Sequence, residues 1–357
     1  METNNSSYAE KGQDASFLVK LDCPTRIDFT GGFTDVAPFR NERVVHHINL
    51  GLELRIFITL KPRNDEEIHI VSSEALVHGT KELRQLDTTV PRTLISHLLK
   101  RMPLKHGLDI SICSYAPIGA GLGTSGALTT ALLAGLMILQ RGTGAMNNLG
   151  TLAMDAVKIE NSTGILGGCQ DEFAAAFGNL NLFSFYGDSW KVLSLGLSDK
   201  NLLALESRLI VAYPGGKRIS SDIVSAVMSA YKKGDPLVSY ALHSLNEYAM
   251  EIENALLNLD WKELVSLIRK VKNEQQKLHP KIIDKRTNQV IADIEKDRGI
   301  GVKLLGGGGP GACILAVCES EEQCLSSRTL LKDLGYHIIP VNIAKTGLRF
   351  ILERNNI

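Results

Sequence analysis

The segment Pro117-Ile-Gly-Ala-Gly-Leu-Gly-Thr-Ser-Gly126 runs without a break into Ala127-Leu-Thr-Thr-Ala-Leu-Leu-Ala-Gly-Leu136. A turn nearly stripped of side chains meets the start of an apolar helix. The residues before it, Leu108 to Tyr115, alternate as a strand does, so the order is strand, glycine turn, helix. Such a junction aims bare amides and the positive end of a helix dipole into one space, which is a phosphate site. Gly119, Gly121 and Gly123 supply the close approach and the positive φ angles that the turn needs. Of the known phosphate loops, GxxxxGK[ST] is excluded, because Ala127 follows Gly126. Gly121 to Gly126 does match the dinucleotide pattern GxGxxG, but the helix runs into Gln-Arg-Gly-Thr-Gly-Ala-Met-Asn-Asn-Leu-Gly150, a turn where a second strand is required. The protein-kinase glycine loop lacks its HRD and DFG partners.

The rest of the composition fits an ordinary soluble protein. At 357 residues the chain exceeds one ordinary core, so two domains sharing a cleft are expected. Lys+Arg and Asp+Glu are both 39, so no basic surface argues for nucleic acid or an anionic membrane. The six cysteines, Cys23, Cys113, Cys169, Cys313, Cys318 and Cys324, form no CxxC pair and read as reduced, packed thiols in a cytoplasmic protein. Residues 1–16 are polar, lack the apolar stretch of a signal peptide and read as a flexible tail. Ala127 to Leu139 is too short to span a bilayer and reads as a core helix.

Strand patterns cover residues 17–30 and 52–61, and helical patterns cover about 149–160, 220–231, 236–259 and 286–296. Asp260-Trp-Lys-Glu263 has capping-box spacing and should start a helix running to about Leu278. Strands are expected near Leu209, at 301–305, 313–317 and 336–340. The predicted division is an N-terminal domain at 17–188 and a C-terminal domain at 189–357, together an α+β protein.

Three further segments carry chemistry. Cys23-Pro-Thr-Arg26-Ile-Asp-Phe-Thr-Gly31-Gly32-Phe-Thr34-Asp35 opens the chain, Glu160 to Gly178 delivers Asp171 from a glycine loop to a short helix, and Lys303-Leu-Leu-Gly-Gly-Gly308-Gly-Pro-Gly311 is a second glycine loop. With Pro117 to Gly126, these resemble the signatures of the GHMP small-molecule kinases over about residues 17 to 350. That family's central motif, Pro-x-x-x-Gly-Leu-Gly-Ser-Ser-Ala, is met with Thr124, Ser125 and Gly126 at its last positions. Gly31-Gly32-Phe-Thr34-Asp35 and Gly168-Cys-Gln170-Asp171-Glu-Phe-Ala-Ala resemble the variants of D-glycero-D-manno-heptose 7-phosphate kinases, whereas a galactokinase would show Gly-Glu-His-Thr-Asp.

The resemblance implies a two-domain GHMP kinase fold: an N-terminal domain like ribosomal protein S5 domain 2, with a left-handed βαβ crossover, and a ferredoxin-like C-terminal domain. ATP, Mg²⁺ and a sugar or sugar phosphate would meet between them, in a monomer or homodimer. It further implies that the backbone of Pro117, Gly119, Gly121, Leu122, Gly123, Thr124, Ser125 and Gly126 cradles the nucleotide phosphates, and that Ser125 and Glu160, 11 positions before Asp171, hold the metal. Ser125 could instead, or also, be a helix N-cap, and Glu160 a surface acid. Asp171 is implied as the base or orienting acid for the sugar hydroxyl, with Arg26 beside it; helix capping and a structural ion pair are the plainer alternatives. Gly31, Gly32, Thr34, Asp35, Gly168, Gln170 and Gly308 are implied to line the acceptor site, although Asp35 could equally cap the turn at 33–38. Arg218, in a basic turn before a helix, would hold a substrate phosphate or be no more than exposed. His46 and His47, adjacent on a strand, point to opposite faces and receive no role. Phosphorylation, plausibly of an anomeric hydroxyl, is the expectation, with fucose, galactose or cyclitol as other acceptors; a sugar-sensing regulator that has lost transfer and an NAD-dependent dehydrogenase are the competing classes.

Overall fold

The computed structural model describes residues 17–75, 83–85, 89–164, 166–216 and 221–354. The chain opens with β1 (Phe17–Asp28), the single-turn α1 (Phe39–Glu42), β2 (Val45–Pro62), β3 (Ile68–Ala75), β4 (Leu83–Gln85), α2 (Thr89–Arg101) and β5 (Leu108–Ser114). Three helices follow, α3 (Thr124–Arg141), α4 (Leu149–Ser162) and α5 (Gln170–Phe177), then the hairpin β6 (Leu180–Tyr186) and β7 (Ser189–Ser194). The remainder is α6 (Asp199–Ser207), β8 (Leu209–Tyr213), α7 (Ser221–Lys232), α8 (Pro236–Asn258), α9 (Trp261–Leu278), α10 (Lys285–Arg298), β9 (Gly301–Leu304), β10 (Ile314–Val317), α11 (Glu321–Asp333), β11 (His337–Ile339) and β12 (Arg349–Arg354).

Two sheets organise these elements. The first has eight strands in the order β12-β1-β2-β5-β3-β4, with β6 on β2 and β7 on β6. β2 is 18 residues long, so one edge of it serves β5 with Ile56–Pro62 and β6 with Val45–Leu50. The second sheet has the order β11-β8-β10-β9, and all its pairs are antiparallel. Its chain order of strand, helices, two strands, helix, strand is the ferredoxin-like arrangement. The architecture is therefore the expected α+β, built on two sheets.

The expected boundary at 188 falls within the β6–β7 hairpin. β7 continues the hairpin of the first sheet, and β12 pairs with β1 from Phe17↔Arg354 to Asp22↔Arg349. Both ends of the 189–357 segment thus belong to the first sheet by hydrogen bonding. The physical reason lies at β1, whose outer edge would otherwise present a row of unpaired amides and carbonyls.

Packing follows the sequence patterns. α3 is buried on nearly every side, and Leu21 of β1 lies 2.9 Å from where a Cβ on Gly135 would stand. α9 buries Leu264, Val265, Leu267, Ile268 and Val271, the stripe of an amphipathic helix laid on the second sheet. Its start is capped as expected, with Asp260 accepting from the Glu263 amide at 3.0 Å. The cysteines are free, all buried except the half-buried Cys113, and no helix among the described residues is long and apolar enough to cross a membrane.

A polar contact crosses between the sheets. Lys303 of β9 reaches Asp28 of β1, with Nζ 3.1 Å from Oδ2 and 2.5 Å from the main-chain oxygen; both side chains are fully buried. Burial alone would raise the Asp28 carboxyl, but the Lys303 ammonium and then the Arg26 guanidinium outweigh it and hold the pKa at about 2. A carboxylate whose folded pKa is depressed contributes stability above its unfolded pKa of about 4 and loses it as pH falls toward about 2, here on the order of 2 kcal/mol. Asp28→Asn should flatten the acid limb between those two values by up to about one bound proton, read from denaturant unfolding across pH; an unchanged limb would contradict the assignment.

Candidate active site

The strand that starts the site alternates buried and open positions up to Asp22 and is buried on both faces from Cys23 to Asp28. Val19, Leu21 and Cys23 alternate into the core, then the β1–β2 register shifts between Pro24 and Thr25, where Pro24 has no amide to give the ladder. The two extra residues, Glu53 and Leu54, are on β2, so β1 keeps its alternation, and Arg26 and Asp28 lie on the face opposite Val19, Leu21 and Cys23. Arg26 is tied to the glycine turn twice: its amide donates to the Leu122 carbonyl at 2.9 Å and its Nη1 to the Gly121 carbonyl at 2.5 Å. Its Nε and Nη2 both donate to Oδ1 of Asp171, at 2.9 and 2.7 Å. The guanidinium is 3% exposed and the carboxylate 32%. The Asp171 and Asp28 charges outweigh burial and hold the Arg26 guanidinium above its usual pKa.

Gly119, Gly121 and Gly123 all take the predicted positive φ, 77°, 83° and 76°. Gly123 is the N-cap of α3, with no side-chain cap. Among the described residues, the amides of Gly123, Thr124 and Ser125 have no acceptor within the protein. Ser125 is therefore not the N-cap but the second residue of the helix, and its hydroxyl donates to Glu160. Thr124 is buried and its hydroxyl is unpartnered. Glu160 stands in the last turn of α4, where no basic residue balances the helix dipole. Next to it lies Glu172, which the sequence reading missed: it is fully buried, and burial, then the neighbouring Glu160, push its carboxyl well above the usual range. No cluster of three or more His, Cys, Asp or Glu suited to a metal occurs among the described residues.

Asp171 is the second residue of α5, so it does not cap that helix either. Asp35 does the capping, its Oδ2 accepting from the amides of Cys169 at 2.7 Å and Gln170 at 2.9 Å. Gly168 is required beneath it, because a Cβ there would collide with the Asp35 carboxylate. Asp35 is thus fully buried and turned toward α5, and Thr34 is turned inward as well, sharing a 2.7 Å hydrogen bond with His47. His47 also contacts Thr30 at 3.1 Å and lies 3.6 Å from Asp35, so it belongs to the loop's buried polar support. Two acceptors in this loop have no hydrogen-bond partner among the described residues, Oδ1 of Asp35 and Oε1 of the 6%-exposed Gln170.

The motifs converge. A Cβ on Gly32 would stand 3.5 Å from Gln170 Nε2, 3.6 Å from the Gly306 carbonyl and 3.9 Å from Asp28 Oδ2. The second glycine loop is fixed to the first by the Cys313 amide, which donates to the Ala120 carbonyl at 2.8 Å. Some expected site residues lie elsewhere. Gly31 packs against Val271 and Leu245, and Gly308 against Ile282. Leu122 is a buried core residue, the Pro117 carbonyl accepts from Ala120, and Arg218 lies outside the described residues. A Rossmann unit is excluded, since a 3₁₀ turn and α4 follow α3 in place of a strand.

Residues 90–179 match the family described as GHMP kinases N terminal domain. The chain is a kinase that resembles the GHMP kinases. This kinase aligns at 25% identity over 344 residues with the D-glycero-alpha-D-manno-heptose 7-phosphate kinase of Campylobacter jejuni, covering 93% of this chain and 98% of the relative. The bifunctional fucokinase/GDP-fucose pyrophosphorylase of Arabidopsis thaliana aligns at 24% identity over 85% of the kinase, which spans only 30% of that protein. In fold, the crystal structure of a D-glycero-D-manno-heptose 1-phosphate kinase from Bacteroides thetaiotaomicron superposes with a TM-score of 0.70 at 20% identity, covering 93% of this chain and 98% of the other.

Gly126 lets the first turns of α3 and α5 touch: a Cβ there would stand 2.6 Å from Asp171 Cβ and 2.9 Å from the Glu172 amide. In the kinase, Gly126→Ala gains about 1 kcal/mol of helix propensity against about 1–3 kcal/mol of overpacking. The melting temperature should therefore move by only a few degrees. Displacing Asp171 by even about 1 Å should still lower kcat by up to about 10²-fold. Steady-state kinetics beside a thermal melt would check this, and an unaltered kcat would mean that the close approach is not needed.

Proposed function

We propose that this kinase transfers the γ-phosphoryl group of ATP to one hydroxyl of a sugar or sugar phosphate, with a phosphorylated heptose as the foremost acceptor. The observation that carries the reading is that the part-buried Arg26–Asp171 pair joins the glycine turn heading α3 to α5, whose first residue, Gln170, meets the Gly32 loop. A carboxylate is thereby held between a place suited to a polyphosphate and a place suited to a polyol.

The phosphate side fits its proposed occupant. The unpaired amides of Gly123, Thr124 and Ser125 and the dipole of α3 suit a polyanion. Ser125 and Glu160, already in contact, offer a hard cation a hydroxyl and a carboxylate. A bound Mg²⁺ would neutralise charge on the phosphate oxygens. On the acceptor side, the unpartnered Asp35 Oδ1 and Gln170 Oε1 suit the donors of a polyol.

Arg26 occupies Oδ1 of Asp171, which leaves Oδ2 for the acceptor hydroxyl. As the acceptor oxygen forms its bond to phosphorus, its proton passes to Oδ2 and the bond from phosphorus to the ADP oxygen breaks. Arg26 keeps the acid oriented and adds fixed positive charge beside the moving group. Retention of Arg26, Glu160 and Asp171 in working contact favours catalysis over sugar sensing. The names of the Campylobacter and Arabidopsis relatives favour a heptose phosphate or a fucose-like sugar as the acceptor.

The decisive variant is Asp171→Asn. It should keep its melting temperature within a few degrees, bind Mg·ATP normally by calorimetry, and lose about 10²–10⁴-fold in kcat in an assay across free and phosphorylated sugars read by phosphorus NMR. Turnover near the wild-type rate on the best acceptor would remove Asp171 from the mechanism.

A further inference from the structure

The acceptor loop is shaped from the far side of the molecule. Its first turn hangs on Asp28, whose Oδ1 accepts from the amides of Thr30 at 2.8 Å and Gly31 at 3.1 Å and from the Thr30 hydroxyl at 3.1 Å. Asp28 is in turn held by Lys303 of β9. The carbonyl of Gly31 accepts from Gln275 of α9 at 3.0 Å, and the same amide nitrogen reaches the Leu304 carbonyl at 3.2 Å. Lys303 and Gln275 are both fully buried. They approach from adjoining elements of the second sheet's layer, and their contacts with the first half fall on residues 28 and 31.

Burying an ammonium and a carboxamide is costly, the more so because Gln275 Oε1 has no hydrogen-bond partner among the described residues. Apolar side chains could have filled the same space, as Val271 and Leu245 do beside Gly31. What the polar pair adds is direction: two donors fix the carboxylate and the carbonyl that set the path of the chain into Gly32, Thr34 and Asp35.

We propose that Lys303 and Gln275 are positioning residues for the acceptor, setting the shape of residues 29–35 and hence the affinity for the sugar without touching either sugar or nucleotide. This rests on reading the loop as the acceptor site. Two readouts separate the clamp from that reading. Hydrogen exchange of the ligand-free protein reports the loop alone, and steady-state kinetics with D-glycero-D-manno-heptose 7-phosphate as probe report the acceptor.

Gln275→Met keeps the volume and removes the donors. It should speed exchange in peptides covering 29–36 by about tenfold or more while peptides covering 118–126 keep their rates. It should also raise the acceptor KM by about tenfold, with kcat and the KM for Mg·ATP within about twofold. Lys303→Met should behave alike if it folds. Asp28→Asn combined with Lys303→Met leaves no charge unpaired and keeps an oxygen for the loop amides, so it should return the acceptor KM to within about threefold of wild type; a lysine that touched the sugar would not be replaced in this way. Unchanged loop exchange, an equal rise in both KM values, or failed recovery in the double variant would each overturn the proposal. Faster loop exchange with an unchanged acceptor KM would overturn it too, and would place the fault in the acceptor assignment.

Discussion

The cleft depends on one buried ion pair. Arg26 comes from β1, Asp171 from α5 and the Gly121 carbonyl from the turn before α3, and a single guanidinium bonds all three. Removing the carboxylate would leave the 3%-exposed guanidinium without its charge partner, although the 32%-exposed Asp171 admits water to the pair and lowers that cost. Strand, turn and helix are therefore locked in one register, and the carboxylate proposed to face the acceptor is held from behind by a group that stays charged. β1 brings Arg26 to the pair without changing its alternation: Val19, Leu21 and Cys23 pack on one face, and Arg26 and Asp28 project from the other.

Around that pair, helix ends are used in opposite ways. The start of α3 leaves its amides open toward the cleft, whereas the start of α5 is satisfied from within by Asp35. An anion is thus drawn to the first and excluded from the second, so Asp171 does not compete with a phosphate at its own helix terminus. The last turn of α4 carries Glu160 where a base would favour the helix, and Glu172 crowds it from α5. This negative spot opposite the open amides of α3 destabilises the empty protein and suits a cation bridging to phosphate.

The parts readable in the sequence were those that depend on local chemistry. The glycines of the 117–126 turn announce positive φ, the apolar run after them announces a buried helix, and Asp260 announces a cap three residues before Glu263. The resemblance put Arg26, Ser125, Glu160 and Asp171 together, and the fold does bring them into two touching pairs. What stayed hidden depends on distant partners. Asp35 was read as facing the substrate because its role as cap exists only once residues 134 positions away supply the amides. His47 looked like an ordinary strand histidine, and nothing near Lys303 in sequence signals that its ammonium is buried against Asp28. Alternation along β1 was a signal that could have been used, because it puts Arg26 and Asp28 on the face opposite Val19, Leu21 and Cys23. The return of β12 to β1 had only a short alternating pattern at the end of the chain to announce it.

The two halves are joined by polar bonds as well as by apolar packing, and this bears on how the cleft can work. Lys303 and Gln275 hold residues 28 and 31, the Cys313 amide holds the Ala120 carbonyl, and β12 is stitched to β1 over six paired positions. A rigid-body hinge between the sheets would break the buried bonds of Lys303, Gln275 and the Cys313 amide, each costing about 1–3 kcal/mol with no water to replace it. Small adjustments of the glycine loop at 306–311 cost far less, since its backbone bonds tie Gly308 and Gly309 but leave the exposed Pro310 turn to solvent. The same residues that keep the acceptor loop in shape therefore also confine movement to the loops that border the cleft, so that the reacting groups are brought together by a frame already closed around them.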